Sequence, residues 1–200
     1  RDVLGSRGLG DVYKRQATLS EGDKNAVDGL HADTEPLNGD SQLIDRDAMW
    51  RSKMHALWII FKAGRTAERQ SVFDQFKADC GSDLEAYATW CLCYDKWGAP
   101  NGEESNWERK FNRNSPEIAN LRKQYPDTLD FYRWLEWIAA EQLSSAQQAA
   151  KDAGMHIGIM SDMAVGVHPS GADVWWNPER FAKGATVGAP PVSYTHLTLP

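Results

Sequence analysis

Cysteine is scarce in this 200-residue chain: Cys80, Cys91 and Cys93 are the only three, with neither CxxC spacing nor a companion histidine cluster. An odd set without ligand spacing argues against a disulfide framework and against a zinc site. The thiols read as reduced, Cys91 as a small core hydrophobe, and the setting as cytoplasmic. Long apolar runs are missing as well. The longest, such as Ala56 to Phe61 and Met160 to Val167, fall well short of the roughly 20 residues that span a bilayer. Positive charge is also in deficit, with 22 Lys and Arg against 28 Asp and Glu and a net charge of -6. That leaves no basic face for nucleic acid or anionic lipid. No internal repeat or heptad array is present. At 42% hydrophobic and 25% charged residues, the chain is long enough for one domain core.

The two ends carry a shared signature. Asp11 to Gln16, DVYKRQ, can be written GAT GTG TAT AAG AGA CAG. Its reverse complement, read two bases in, gives GTC TCT TAT ACA CAT C, which translates as VSYTH and a leucine. Those are the residues at Val192 to Leu197. One short DNA sequence read on both strands therefore accounts for both ends, and it resembles a transposase mosaic-end adapter from sequencing libraries. Residues 1–16 and 192–200 are accordingly expected to be adapter-derived tails, outside the fold.

Between the tails the sequence predicts helices and then one strand. Residues 17–44 are polar, contain Gly29, Pro36 and Gly39, show little periodicity and are expected to be a connection without regular structure. Residues 45–154 read as a helical subdomain. Asp45 is an N-cap for an amphipathic helix carrying Trp50, Met54, Leu57, Trp58 and Phe61 as far as Gly64. A second helix carries Val72, Phe73 and Phe76 and ends near Gly81. A third opens at Ser82, with Glu85 completing a capping box, and ends near Gly98. Ala99 to Asn114 reads as a loop pinned to the core by Trp107 and Phe111. Ser115-Pro116 starts a short helix, because proline's missing N–H costs nothing at the first helical position. A long helix is expected from Pro126 to about Ala153, with Phe131, Trp134, Leu135, Ile138, Ala139 and Leu143 in its stripe and Gly154 as its stop. Among the tryptophans, Trp50, Trp58, Trp134 and Trp137 sit at helical spacings and read as core rather than as sugar platforms.

Residues 155–191 are expected to be a buried strand followed by site loops. His156 to Val167 is apolar, lacks a helical stripe and is bounded by glycine and proline, which suits a buried parallel strand. It delivers one acid, Asp162, into loop-forming sequence, GIMSDMAVGVHPSGADVWWNPERFAKGATVGAPP, the way a barrel enzyme presents a site carboxylate. From position alone, Asp162 is equally well a structural acid capping a loop N–H. His168 before Pro169 reads as a loop residue. Asp173 and Glu179, six residues apart on a loop, have no fixed separation. Asn177-Pro178 suggests one short helical turn through Phe181.

The order IMSDMAVGV, then HPSGADVWWNPERFA, then VGAPP resembles the 4-alpha-glucanotransferases, also called amylomaltases or disproportionating enzymes. Their pattern is a strand ending in G-D-[LM], then V, a loop with A-[DE]-V-W, then N-P-x-x-F and G-[AV]-P-P. Ser161 replaces the first glycine. FYRWLEWIAAEQLSSAQQAAKDAGM is similar to the family's long helix before that strand, and SVFDQFKADCGSDLEAYATWCL to part of its helical insertion. The likeness covers about Asp45 to Pro191. It implies a (β/α)8 TIM barrel with a helical insertion subdomain as the parent fold, of which this chain is a mainly α fragment with at least one buried strand.

The resemblance further implies retaining transfer of α-1,4-glucan segments through a covalent glycosyl-enzyme, without metal or organic cofactor. The family's nucleophile, acid/base and third carboxylate lie on later strands, so the chain by itself is expected to be inactive and to hold no catalytic residue. Asp162 matches a position at the donor sugar, and Gly188, Ala189, Pro190 and Pro191 match the start of a loop over the acceptor side. Trp175 and Trp176 flank the site loop as candidate stacking surfaces, one of them packing inward. The implied partner is a maltooligosaccharide or α-glucan, with no nucleic acid and no membrane, and with the oligomeric state open. Two other classes fit the same residues: an α-glucan hydrolase, in which water takes the intermediate, and a non-catalytic helical interaction module.

Overall fold

A computed structural model describes residues 19–39, 45–100, 105–161 and 166–182. The chain divides between Phe76 and Lys77 into two compact units. The expected tails at 1–16 and 192–200 lie outside the described residues.

In the first unit, α1 (Glu21–Thr34) is followed by a 3-10 turn at Glu35–Gly39, and α2 (Arg46–Lys62) packs on α1. Helix α1 corrects the expectation of an unstructured connection. Its amphipathic signal is faint because Val27 is its one buried residue. It starts where the Ser20 hydroxyl accepts the Asp23 N–H at 3.2 Å, with acidic Glu21 and Asp23 in the first turn, both favourable to the helix N-terminus. Across the pair, Ser52 Oγ of α2 donates to the Leu30 carbonyl at 3.1 Å. Helix α2 begins at Asp45 as expected, the carboxylate accepting the Ala48 N–H at 2.9 Å. It buries Ala56, Ile60 and Phe61. Trp50 departs from its expected core role and is 61% exposed. After α2, the Arg65 guanidinium lies over the rings of Phe61 and Phe73, 5.1 and 4.9 Å from their centroids.

Helix α3 (Ala67–Trp97) crosses the division and is two helices joined at Gly81, whose φ of 51° and ψ of -127° are non-helical. The second unit holds its later half, then α4 (Trp107–Lys110), α5 (Pro116–Gln124), α6 (Pro126–Asp152) and α7 (Ala172–Trp176), with a 3-10 turn at Pro178–Arg180. Ala88, Leu92 and Cys93 of α3, Trp107 of α4, Ile118 and Leu121 of α5, Leu129 of α6 and Trp175 of α7 form one buried cluster. Trp134 and Trp137 of α6 are enclosed as predicted. Leu143, placed in the same stripe, is 57% exposed. The predicted capping box at Ser82 is corrected at Glu85. Its carboxylate pairs with Arg122 of α5 and with Arg133 of α6, the latter at 2.6 Å. A half-buried acid shared by two guanidiniums ties three helices together, and gains more there than from a local cap.

Helix α6 ends in paired bonds, Met155 N–H to the Ala150 carbonyl and Gly154 N–H to the Lys151 carbonyl, at 3.1 and 2.9 Å. This is the glycine stop anticipated at Gly154. Beyond it the expected buried strand is corrected: no strand occurs among the described residues. Residues 155–161 run without regular structure, and Ile157 and Met160 are 74% and 84% exposed. An apolar run becomes a parallel strand only where neighbouring strands take up its backbone groups and cover both faces. Here the described backbone partner of Ile157 and Ile159 is a single side chain, Gln147 of α6.

Candidate functional site

The loop that follows residues 162–165 is built onto the helical body by three nitrogen donors that each reach a backbone carbonyl. Trp90 of α3 donates from Nε1 to the Ser170 carbonyl at 3.0 Å. Trp175 of α7 donates from Nε1 to the Phe111 carbonyl at 2.8 Å. Arg113 donates from Nη1 to the Trp176 carbonyl at 2.6 Å and to Asn177 Oδ1 at 3.0 Å. Its Nη2 stands 3.6 Å from Glu179. A loop otherwise free to fluctuate is thereby fixed at both ends of α7, since each bond removes a carbonyl from solvent and supplies a directional partner.

Aromatic packing reinforces the attachment. The Trp175 ring meets Trp107 edge-on at 5.4 Å and Trp176 at 5.9 Å. Trp107 in turn contacts Trp90 and Trp97, and Trp97 contacts Phe111. The Trp107 indole N–H is taken by the Gly98 carbonyl at 2.9 Å. Trp107 and Phe111 thus pin residues 105–114 of the expected loop, and one-turn helices form at α4 and α7 where only loop was expected.

At the entrance to α7 the chain turns tightly, with the Gly171 N–H bonded to the His168 carbonyl at 2.8 Å. The Ser170 N–H donates to His168 Nδ1 at 3.1 Å. His168 is therefore engaged as a turn acceptor through Nδ1. Asp173 is exposed on α7 and Glu179 faces Arg113, so the two acids do not form a matched pair. Among the described residues no group of three or more His, Cys, Asp or Glu is placed to hold a metal ion. No described helix is long and apolar enough to cross a membrane.

Of the substrate-contact candidates from sequence, Trp175 packs inward at 7% exposure and Trp176 is partly buried. Asp162, Gly188, Ala189, Pro190 and Pro191 lie outside the described residues. Sequence reasoning missed Trp90 and Arg113 as the loop's anchors and Gln147 as the partner of the preceding segment. Trp90 is offset from the apolar stripe of its helix, which is a readable sign of a second duty. Arg113 and Gln147 carry no comparable signal.

A family model described as 4-alpha-glucanotransferase matches residues 11–196. The chain belongs to the 4-alpha-glucanotransferase family. Curated relatives named 4-alpha-glucanotransferase include those of Mycobacterium tuberculosis and Mycobacterium bovis, each 39% identical over 155 residues, which is 77% of this chain and 21% of the relative. The Haemophilus influenzae relative of the same name is 27% identical over 165 residues, 76% of this chain and 24% of its own length. The chain therefore spans about a fifth of the length of the mycobacterial relatives it matches, and the anchored loop is one part of a family architecture much longer than itself.

Proposed function

We propose that the chain is part of a 4-alpha-glucanotransferase that moves α-1,4-glucan segments between maltooligosaccharides or onto glucose. The family match over residues 11–196 carries this reading. In a retaining transfer, an enzymic carboxylate attacks the anomeric carbon while a second carboxyl group protonates the departing sugar oxygen. A sugar 4-hydroxyl then displaces the first carboxylate and returns its proton to the second. We assign Asp162 to the donor sugar, where an ionised carboxylate accepts hydrogen bonds from sugar hydroxyls. Gly188, Ala189, Pro190 and Pro191 are assigned to the loop over the acceptor. Trp175, with its ring packed on Trp107, serves the substrate by seating that region of the site. The reaction calls on no metal or organic cofactor, and the three free thiols fit a cytoplasmic maltodextrin-processing setting.

The test is the disproportionation of maltotriose by the complete enzyme carrying Asp162→Asn. Loss of a charge-assisted contact should lower kcat/KM by about tenfold to a hundredfold, with longer oligosaccharides still appearing beside glucose. An unchanged kcat/KM removes Asp162 from the donor site. Release of sugars no longer than the substrate by the unsubstituted enzyme removes transfer in favour of hydrolysis.

A further inference from the structure

The break in α3 at Gly81 is bracketed by charges of opposite sign, Lys77 four residues before it and Glu85 four residues after it. In an unbroken helix both would have position 81 as their i,i+4 neighbour. Glycine offers no side chain there, and both partners come from α6. Lys77 Nζ stands 3.5 Å from Asp130 Oδ1. Arg133 donates to Glu85 Oε2 from Nη2 at 2.6 Å and from Nε at 3.1 Å. Asp130 and Arg133, three residues apart on α6, meet each other at 3.5 Å. Arg122 of α5 takes the other oxygen of Glu85. Lys77, Asp130, Arg133, Glu85 and Arg122 thus form one chain that alternates in sign throughout, and all five belong to the second unit. Their side chains are 20% to 33% exposed, so salt screens them less than it would charges on an open surface.

Ion pairs at this depth add little net stability, because desolvation offsets most of the attraction. What an alternating chain supplies is discrimination. Sliding α6 by one turn along α3 sets Arg133 against Lys77, and sliding it one turn the other way sets Asp130 against Glu85. Either slip exchanges an attraction for a repulsion between charges already drawn partly out of water. Gly81 makes this discrimination necessary. An unbroken helix would carry the register of its later half back to residue 77, whereas at a break that information stops, and the Lys77 to Asp130 pair restores it. Burial and the neighbouring charge of Arg133 hold the Arg122 guanidinium below its ordinary value, the mark of two cations crowded on one carboxylate. We propose that the chain is a register lock: a charge code that fixes α6 against α3 on both sides of the Gly81 break and rejects one-turn slips.

Three variants of the complete protein test it, read by amide hydrogen exchange at residues 78–80. A neutral variant, Asp130→Asn with Arg133→Gln, removes the code without opposing it, and exchange should quicken by only about threefold. A swapped variant, Asp130→Arg with Arg133→Asp, keeps composition and net charge but sets like charges at both ends, and exchange should quicken by about thirtyfold or more. The amides of Leu92 and Cys93, inside the buried cluster, should change far less in either. A repaired variant adds Lys77→Glu, Glu85→Arg and Arg122→Glu to the swap, which inverts every sign and restores the alternation. Its exchange should return to within about threefold of wild type. A swapped variant that exchanges no faster than the neutral one overturns the lock. So does a repaired variant as defective as the swap, and this comparison still decides the matter if the swapped protein does not fold.

Discussion

Thr89 lies in the later half of α3 with its side chain fully enclosed, and its Oγ1 meets no hydrogen-bond partner among the described residues. A hydroxyl in that condition has given up water without replacement, whereas a methyl of the same shape has nothing to lose. Thr89→Val should therefore raise unfolding free energy by about 1 kcal/mol in urea titration; a loss of stability would show that the hydroxyl is bonded after all. The cysteines give a second residue-level expectation. Burial pushes the Cys91 and Cys93 thiols up to about 12, so at pH 8 only about one in ten thousand is thiolate, and thiolate is the reactive form. Cys80 is less enclosed, and its thiol is raised by partial burial and by the charges of Asp79, Glu136 and Asp83. An aromatic disulfide reagent at pH 8 should label Cys80 slowly in the native protein and all three cysteines at once in denaturant. Rapid native labelling of more than one thiol would contradict the packing of α3.

The break in the helical backbone of α3 rests on a single residue. Gly81 holds φ 51° and ψ -127° with open space where a Cβ would be. The cost of substitution is therefore backbone strain and not collision. Gly81→Ala should destabilise the protein by about 1 to 3 kcal/mol. Gly29, inside α1 and equally uncrowded, should gain about 0.5 to 1 kcal/mol on the same change. Paired thermal melts check both, and like signs at the two positions would refute the distinction. Helix ends of this kind were the most legible features of the sequence. Asp45, Gly81, Ser115-Pro116, Pro126 and Gly154 act through chemistry local to a few residues, and each boundary falls where that chemistry puts it. Features settled by distant partners were not legible. Glu85 looked like a cap because Ser82 is near in sequence, yet Arg122 and Arg133 outcompete it in space. Helix α1 depends on α2 for company, and Trp50 shares the helical spacing of buried tryptophans while facing solvent. The strand reading failed for the same reason, since strand formation belongs to a neighbour as much as to the segment itself.

At the scale of the molecule, what the described residues of 166–182 supply is an anchored loop in which the two acids, Asp173 and Glu179, form no matched pair. Retaining transfer between sugars needs two carboxyl groups about 5 Å apart across the scissile bond. In the loop from 166 to 182, Asp173 projects from α7 into solvent, while Glu179 stands 3.6 Å from the Arg113 guanidinium that secures the loop. Glu179 is thus engaged by the arginine that secures the loop and does not stand opposite Asp173 across a sugar-sized gap. An exposed acid without a desolvating pocket is no better placed to attack an anomeric carbon. The 200-residue chain by itself should therefore convert no maltotriose under conditions chosen to reveal the transfer proposed for the complete protein, as followed by chromatography. Product formation that survives purification and disappears in Asp173→Asn would overturn this, and would move the reacting carboxylate into the loop that Trp90, Trp175 and Arg113 hold in place.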